Sequence, residues 1–483
     1  MQLFTIQRIL GILLTLFSVT MLPPLLVAWI YQDGAGDAFA TAFVLLLLIG
    51  LSLWLPARKH RRELKIRDGF IVVVMFWMAL GLAGSLPFYL SEDPMMSFTD
   101  AVFESMSGLT TTGSTVLTGL DNLPHAILFY RQFLQWLGGM GIVVLAVAIL
   151  PLLGVGGMQL YRAETPGPMK DSKLTPRITE TAKALWYIYV TLTIVCAGAY
   201  YWAGMSAFDA IGHSFSTVAI GGFSTHDASI AYFDSALVEM IAVTFMLIAA
   251  MNFSLHFIAW RGRTLRHYFV DSEVRVFIGI MLLVSIITVS YLLLTSTVSD
   301  NHLAFRQAIF QTVSIGTTAG FATAEFALWP GFLPILLLMV SYIGGCAFST
   351  AGGMKVIRIM LLFKQGYREV LRLIHPNGVF AIKVNGKALP SRVVGAVWGF
   401  FALYVFSFSI MHLILMATGL DVVTSFSAVT ATLNNLGPGL GDVADNFGSI
   451  NNTAKWVLSF AMLMGRLEIF TLLVVLTPAF WRR

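Results

Sequence analysis

Four short segments of this chain follow one plan, each set between hydrophobic stretches long enough to cross a membrane. The first runs from Asp100 to Ser107 and closes on Thr110-Thr111-Thr112-Gly113. The second runs from Asp209 to Ser216 and closes on Ala219-Ile220-Gly221-Gly222. The third, Gln307 to Ser314, closes on Thr317-Thr318-Ala319-Gly320, and the most diverged, Thr424 to Ala431, on Asn434-Asn435-Leu436-Gly437. The closing glycines recur roughly every hundred residues, a period longer than solenoid repeats and suited to a membrane module. Four such modules in one chain predict an arrangement around one axis, as in an ion pore.

Of the 483 residues, 57% are hydrophobic and 11% charged, against about 25% charged in ordinary globular domains. So few polar residues cannot cover a soluble surface, and a polytopic membrane protein is the class that fits. Cys196 and Cys346 lie in apolar stretches and read as buried thiols, with no disulfide or metal spacing. The stretch Ile6 to Ile30 has only Arg8 as a basic residue near its start, is interrupted by Pro23-Pro24 and is followed by no small-residue cleavage site. It reads as a retained helix and not as a signal peptide.

Basic residues gather in alternate loops: Arg58 to Arg67, then Arg162 to Arg177, then Arg261 to Arg275, then the run from Lys355 and Arg358 to Arg392, and Arg482-Arg483 at the end. The intervening loops carry Asp33, Asp37, Glu92, Asp93, Asp121, Asp227, Asp234, Asp300, Asp442 and Asp445. This asymmetry predicts that both termini are cytoplasmic. The net charge of +5 is therefore a topology signal and gives no reason to expect nucleic acid.

A hydrocarbon core of about 30 Å takes about 20 helical residues. Ten stretches meet that length: 5–30, 38–56, 69–90, 125–153, 183–204, 236–260, 275–297, 330–362, 392–419 and 454–480. Met95–Leu109, Ser206–Val218, Leu303–Ile315 and Val422–Leu433 are apolar but too short, and read as re-entrant half-helices. The expected fold is an all-α polytopic membrane protein: an N-terminal helix pair (1–66), then four repeats of span, pore helix, filter and span around one pore (67–178, 179–270, 271–390 and 391–483). The longer polar loops, Tyr161–Thr181 and Phe363–Pro390, are too short for a core of their own and are candidate docking sites for a cytoplasmic partner.

Irregular backbone at membrane depth is tolerated only where protein buries it or water wets it. The segments that follow the half-helices have no charge at their centres. They offer backbone carbonyls and a glycine at a fixed offset, whose free φ lets successive carbonyls face one axis. Four such segments can replace the water shell of a dehydrated monovalent cation, helped by the negative ends of the half-helices. The candidate cation-binding residues are therefore Thr110, Thr111, Thr112, Gly113, Ala219, Ile220, Gly221, Gly222, Thr317, Thr318, Ala319, Gly320, Asn434, Asn435, Leu436 and Gly437. With 42 glycines in the chain one match means little, but four at equivalent positions mean more.

These segments, above all Asn434-Asn435-Leu436-Gly437-Pro438-Gly439, resemble the filters of the Trk/Ktr/HKT superfamily of potassium transporters, on its bacterial Trk membrane-subunit branch. The resemblance spans the whole chain, including the extra N-terminal helix pair. In that family each filter keeps one glycine of the longer potassium-channel signature, here Gly113, Gly222, Gly320 and Gly437. Sodium-selective plant relatives have serine at the first, so Gly113 favours potassium. The resemblance implies potassium uptake across a bacterial inner membrane, no covalent cofactor, a cytoplasmic nucleotide-binding regulatory subunit and a homodimer.

Two further features lie below the filters. Gly344, Gly345, Gly352 and Gly353 bracket Ser349 and Thr350 inside the eighth stretch, and each costs a helix about 1 kcal/mol relative to alanine. Close glycine-mediated helix packing is one reading; a loop that obstructs the pore and moves to open it is the other, and the resemblance favours the loop. Arg466 sits mid-span in the last stretch and needs water or a partner. Glu468, two residues on, points elsewhere on a helix, and the resemblance places a pore-facing arginine here. Arg131 and Lys455, nearer span ends, are expected to be snorkelling anchors.

Other classes fit less well. A proton- or sodium-coupled secondary transporter also uses broken helices, but usually with inverted repeats, whereas these four all start on the cytoplasmic side. His213, His226, Asp209 and Asp227 hint at a metal-dependent enzyme, but no second segment converges on them.

Overall fold

The computed structural model describes residues 2–60, 66–141 and 178–482. The expected loop around Tyr161–Thr181, its basic residues to Arg177, Arg61, Arg62 and Lys65 lie wholly or mostly outside them, as does the second half of the expected span 125–153.

The N-terminal part is α1 (Leu3–Val19), α2 (Leu22–Tyr31) and α3 (Gly36–Ala57). Next come α4 (Ile66–Gly84), α5 (Leu86–Leu90), α6 (Phe98–Leu109) and α7 (His125–Gly139). A second group is α8 (Ile178–Trp202), α9 (Ala207–Ala219), α10 (Ala236–Ala249), α11 (Phe253–Gly262) and α12 (Arg266–Val270). The third is α13 (Ser272–Leu294), α14 (Asn301–Gly316), α15 (Leu333–Ser341) and α16 (Val356–Ile374), with a small antiparallel hairpin, β1 (Lys383–Val384) and β2 (Lys387–Ala388). The last is α17 (Ser391–Ala417), α18 (Val422–Leu433), α19 (Asn452–Arg466), α20 (Glu468–Leu476) and α21 (Pro478–Trp481).

Among the described residues six helical stretches are long and apolar enough to cross a membrane, or eight if two bent pairs each count as one span. Those pairs turn by 93° between α10 and α11 and by 116° between α19 and α20. Of the ten expected spans, two stand apart. α7 runs into the undescribed segment. The eighth stretch is no continuous helix: α15 has nine residues, about 14 Å of rise, before an irregular segment leads to α16.

The four half-helices α6, α9, α14 and α18 start at polar caps that the sequence reading did not use. Ser97 Oγ accepts from the Asp100 amide at 3.2 Å, and Ser206 Oγ from the Asp209 amide at 3.0 Å. Each serine hydroxyl also donates to the aspartate carboxylate of its own turn at 2.7 Å. Asp300 and Asp421 cap the other two, accepting from His302 N and Val423 N at 2.9 Å. A cap of this kind contributes about 1 kcal/mol and fixes where each half-helix begins.

Polarity is distributed as lipid demands. Leu282, Leu283, Ile286, Phe406 and Leu413 are exposed, while Thr110, Thr112, Thr317, Thr318 and Asn434 are wholly buried at the ends of the half-helices. The N-terminal pair is joined through glycine. A Cβ on Gly11 of α1 would lie 2.6 Å from Trp54 N and 2.8 Å from Gly50 O of α3. Gly11→Leu should therefore force α1 off α3 and cost about 1–3 kcal/mol, the scale of overpacking. Thermal unfolding of purified protein should show a lowered melting temperature; an unchanged one would mean that the pair is not packed this closely.

Candidate functional site: four backbone segments around one axis and the loop beneath them

The four expected segments share one backbone conformation. Thr111, Ile220, Thr318 and Asn435 have φ of 55°, 55°, 68° and 53°, and Gly113, Gly222, Gly320 and Gly437 have 85°, 78°, 81° and 106°. The residues before the first set remain right-handed, with φ near −80° at Thr110, Thr317 and Asn434. Alternating hands turn successive carbonyls toward one side, whereas an extended strand points them to opposite sides. Glycine takes this conformation freely. Thr111, Ile220 and Thr318 are β-branched, and holding them there costs about 1–3 kcal/mol each, strain of the kind that gathers at functional sites.

The segments close into a ring. A Cβ on Gly113 would lie 2.2 Å from Gly221 O, one on Gly222 2.1 Å from Ala319 O, and one on Gly320 2.2 Å from Leu436 O. A Cβ on Gly437 would lie 3.0 Å from Thr112 O, which returns the cycle to the first segment. Each closing glycine thus seats against the carbonyl of the residue preceding the next glycine. The diverged fourth segment keeps the pattern, and its asparagines tie it in. Asn435 Nδ2 donates to Thr112 Oγ1 at 2.9 Å and to Met462 O at 3.0 Å. Asn434 Nδ2 donates to Ser341 Oγ at 2.9 Å, and its Oδ1 accepts from the Tyr404 hydroxyl.

Residues 342–355, which hold the four expected gate glycines, form the irregular segment of the broken span and lie against the inner ends of the half-helices. Gly352 N donates to Thr318 Oγ1 at 2.7 Å and Gly353 N to Asn434 O at 3.0 Å. Thr350 Oγ1 donates to Val218 O at 2.9 Å, and Cys346 N to Ala250 O at 2.8 Å. Ala347 N and Ile357 N, at 2.7 and 3.1 Å, share one Glu273 carboxylate oxygen. Non-helical backbone at this depth is thus supplied with partners, as a membrane interior requires. Gly344 and Gly353 have φ of +64° and +70°, and a Cβ on Gly345 or Gly352 would stand 2.7 Å from Ala250 O or 1.9 Å from Asn434 O, so loop geometry and close approach account for all four glycines.

Arg466 ends α19 at the 116° bend. Its guanidinium donates to Thr350 O in the loop at 3.2 Å and to Gly138 O at the end of α7 at 2.6 Å. Glu468 opens the next helix beyond that bend and pairs with Arg358 at 2.6 Å, a partner that the sequence reading did not foresee. A cavity of about 140 Å³ under the ring is lined by Phe348, Gly352, Lys355, Arg358, Asn435 and Arg466, among others. Lys355 and Arg358, assigned from sequence to a cytoplasmic basic run, are each 6% exposed, and Arg358 stacks 4.1 Å from the Phe400 ring.

Arg131 and Lys455 are not snorkelling anchors. Arg131 is 1% exposed and pairs with the fully buried Glu104 at 2.7 Å; Lys455 pairs with Asp100 at 2.7 Å. Their partners lie on α6, a half-helix distant in sequence from Lys455, so span position alone could not reveal the pairing.

The histidines near the second segment are engaged with neighbours. His213 bonds Ser224 Oγ at 2.8 Å and Asp209 O at 2.9 Å. His226 contacts the Asp121 carboxylate, lies 3.5 Å from Asp209 Oδ1 and stacks on Tyr232 with centroids 3.4 Å apart. Among the described residues no group of three or more His, Cys, Asp or Glu is arranged to hold a metal ion.

Together these features define a polytopic helical membrane protein in which four re-entrant backbone segments surround one axis. Residues 35–482 match the TrkH family, described as cation transport proteins, and the chain belongs to that family. It is 63% identical over 484 residues to the Trk system potassium uptake protein TrkH of Vibrio parahaemolyticus, covering 100% of both chains. To the Trk system potassium uptake protein TrkH of Escherichia coli K12 it is 60% identical over 477 residues, covering 99% of both. The crystal structure of the potassium transporter TrkH from Vibrio parahaemolyticus matches with a TM-score of 0.91 at 60% identity, covering 100% of each chain.

One titratable group, His226, links the loop that holds Asp121 to the loop that follows the second segment. Burial alone would lower the His226 pKa, but hydrogen bonding and charge from Asp209 and Asp121 outweigh it and hold it above 6.5. A pKa raised on folding contributes stability that is fully present below about 6.5 and is lost as pH rises through the folded value. Melting temperature should therefore fall as pH rises above about 6.5, and His226→Gln should flatten that fall. An identical profile in the variant would show that His226 does not couple these loops.

Proposed function

We propose that this chain takes up potassium across a bacterial inner membrane, through the ring formed by residues 110–113, 219–222, 317–320 and 434–437. The observation that carries this reading is the cyclic seating of four glycines against four neighbouring carbonyls. Such a ring presents partial negative charge of fixed spacing, suited to a dehydrated monovalent cation. The relatives are named as potassium uptake proteins, and their identity to this chain over its whole length supports the same substrate here. Potassium is substrate here, not cofactor. The division into a helix pair, 1–66, and four repeats, 67–178, 179–270, 271–390 and 391–483, follows from the recurrence of half-helix and segment. Both termini are cytoplasmic on this reading, which rests on the loop charges.

The loop of residues 342–355, with Gly344, Gly345, Gly352 and Gly353, acts as the gate, and Arg466 is its electrostatic bar. Lys355, Arg358 and Arg466 outnumber Glu468 around the cavity, so a cation leaving the ring inward meets net positive charge. A cytoplasmic nucleotide-binding subunit and a second copy of the chain complete the system; the relatives' naming as members of a Trk system supports a multi-part assembly. The coupled-transporter reading has less support, since Glu468 is committed to Arg358 at 2.6 Å.

Two experiments in proteoliposomes test this. Gly113→Ser places a side chain at φ +85° and 2.2 Å from Gly221 O, so the ring must distort. Potassium over sodium preference should fall about tenfold or more, a barrier change of about 1.4 kcal/mol; unchanged relative permeability would reject the ring as the filter. Arg466→Ala removes one charge, worth about 2 kcal/mol at roughly 8 Å and an effective dielectric of about 20. Flux per folded molecule should rise about tenfold with the order of ion preference kept, and Arg466→Lys should stay near the parent. A loss of folded yield with no gain in flux would make Arg466 purely structural.

A further inference from the structure

The second segment differs from the others in a way that the ring itself does not require. It reads Ala219-Ile220-Gly221-Gly222, with a second glycine where the other segments have Thr112, Ala319 and Leu436. Gly222 has the left-handed φ that all four closing glycines share, but Gly221 does not, so backbone conformation does not explain it. Space does. A Cβ on Gly221 would lie 2.4–2.5 Å from Cδ and Oε1 of Gln135, a fully buried residue of α7.

A second glycine follows the same logic one turn away. Gly212 on α9 stands where the first and third half-helices carry Phe103 and Phe310. A Cβ there would lie 1.9 Å from Gln132 Oε1, also of α7 and also fully buried. Two positions of the second repeat have thus been emptied to admit two glutamines from the first.

Those glutamines hold the second segment by its backbone. Gln135 Nε2 donates to Gly221 O at 2.6 Å, and Gln135 Oε1 accepts from Phe223 N at 3.1 Å. Gln132 Nε2 donates to Phe223 O at 3.1 Å, and Arg131 Nη1 to Ser224 O at 3.1 Å. Three polar residues on one helix therefore hold four backbone groups, one before Gly222 and three after it. The segment needs this, because its own side chains offer no hydroxyl or amide, whereas the others have threonines or asparagines.

Gly221 O is also the ring oxygen against which Gly113 seats. Among the described residues its counterparts Thr112 O, Ala319 O and Leu436 O accept no protein hydrogen bond. We propose that Gln135 is a positioning residue that sets ion preference: it fixes the Gly221 carbonyl and shares its electron density, so one of four ring oxygens is held and weakened while three are not. Gln135 does not touch the ion. It acts through Gly221, and the proposal rests on the filter reading above.

The test is ion flux and competition in proteoliposomes with Gln135→Met, which keeps the side chain's length but removes both hydrogen bonds, and with Gln135→Asn. The asparagine keeps an amide in the buried site but is too short to reach both partners, so it supplies folded protein if methionine does not. Preference among potassium, rubidium and sodium should shift by about fivefold, the scale of one hydrogen bond, and the apparent KM for potassium should rise more than maximal flux per folded molecule falls. A merely structural glutamine would lower folded yield and melting temperature and leave ion preference alone, and that result in either folded variant overturns the proposal. Gly113→Ser run alongside separates the two ideas. If it alters preference and the Gln135 variants do not, the filter stands and the role of Gln135 falls; if neither does, the filter reading itself has failed.

Discussion

The structure depends on the approach of four glycines to four carbonyl oxygens. At 2.1–2.2 Å from an imagined Cβ, three of these seats exclude every other amino acid without movement of backbone. Each segment is therefore positioned by its neighbour, and none has its place independently. The surrounding polar groups follow from that constraint. Tight backbone contacts at membrane depth leave no room for water to satisfy peptide groups, so neighbouring side chains do it: Gln135 of α7 for the second segment, Ser114 just beyond the first segment for Gly437 O at 2.9 Å, Ser314 of α14 for Phe321 O at 2.6 Å.

The four half-helices solve the same local problem with different chemistry. At one level of the half-helices stand Glu104, His213 and Gln311, with Ser427 adjacent to that level in the fourth. Each braces the outgoing stretch of its own repeat. Glu104 accepts from Val116 N at 3.0 Å, His213 bonds Ser224 Oγ at 2.8 Å, Gln311 donates to Ala324 O at 2.5 Å, and Ser427 exchanges hydrogen bonds with Leu440 at 2.9 and 3.0 Å. A charged brace needs a countercharge in so dry a place, which is why Arg131 is buried beside Glu104; an unpaired carboxylate there would cost several kcal/mol. The charged repeat thereby acquires an arginine that also reaches the second segment.

How much of this was legible in the sequence depends on whether the signal was local. The glycine at a fixed offset is local, and so were the four segments, the half-helices and the break at Gly344–Gly353. The left-handed Thr111, Ile220 and Thr318 were not foreseen, because β-branched residues argue against that conformation and only the surrounding packing imposes it. Arg131, Lys455, Lys355 and Arg358 were misplaced for a related reason. A basic residue near a span end reads as a solvated anchor unless its partner is known, and the partners Glu104, Asp100 and Glu468 come from other elements. The serine caps of α6 and α9 were available, since Ser97 and Ser206 each precede an aspartate by three residues.

On the proposed reading, selectivity and gating are not separate compartments in such an arrangement. The loop of residues 342–355 does not hang below the ring; it bonds to Thr318 Oγ1 and Asn434 O, which belong to the segments themselves. Thr318 is one of the strained left-handed residues, and Asn434 is held on its other side by Ser341 and Tyr404. On the proposed reading, moving the loop aside breaks these two bonds and those of Thr350 to Val218 O and to Arg466. Each is worth about 1 kcal/mol net, so the closed loop is held by a few kcal/mol, a gap that a bound partner can overcome. Opening also withdraws support from the third and fourth segments and from Val218 before the second, but the second keeps the grip of Gln135, which comes from α7 and not from the loop. A filter braced in this unequal way keeps a fixed reference on one side while its other side responds to the gate.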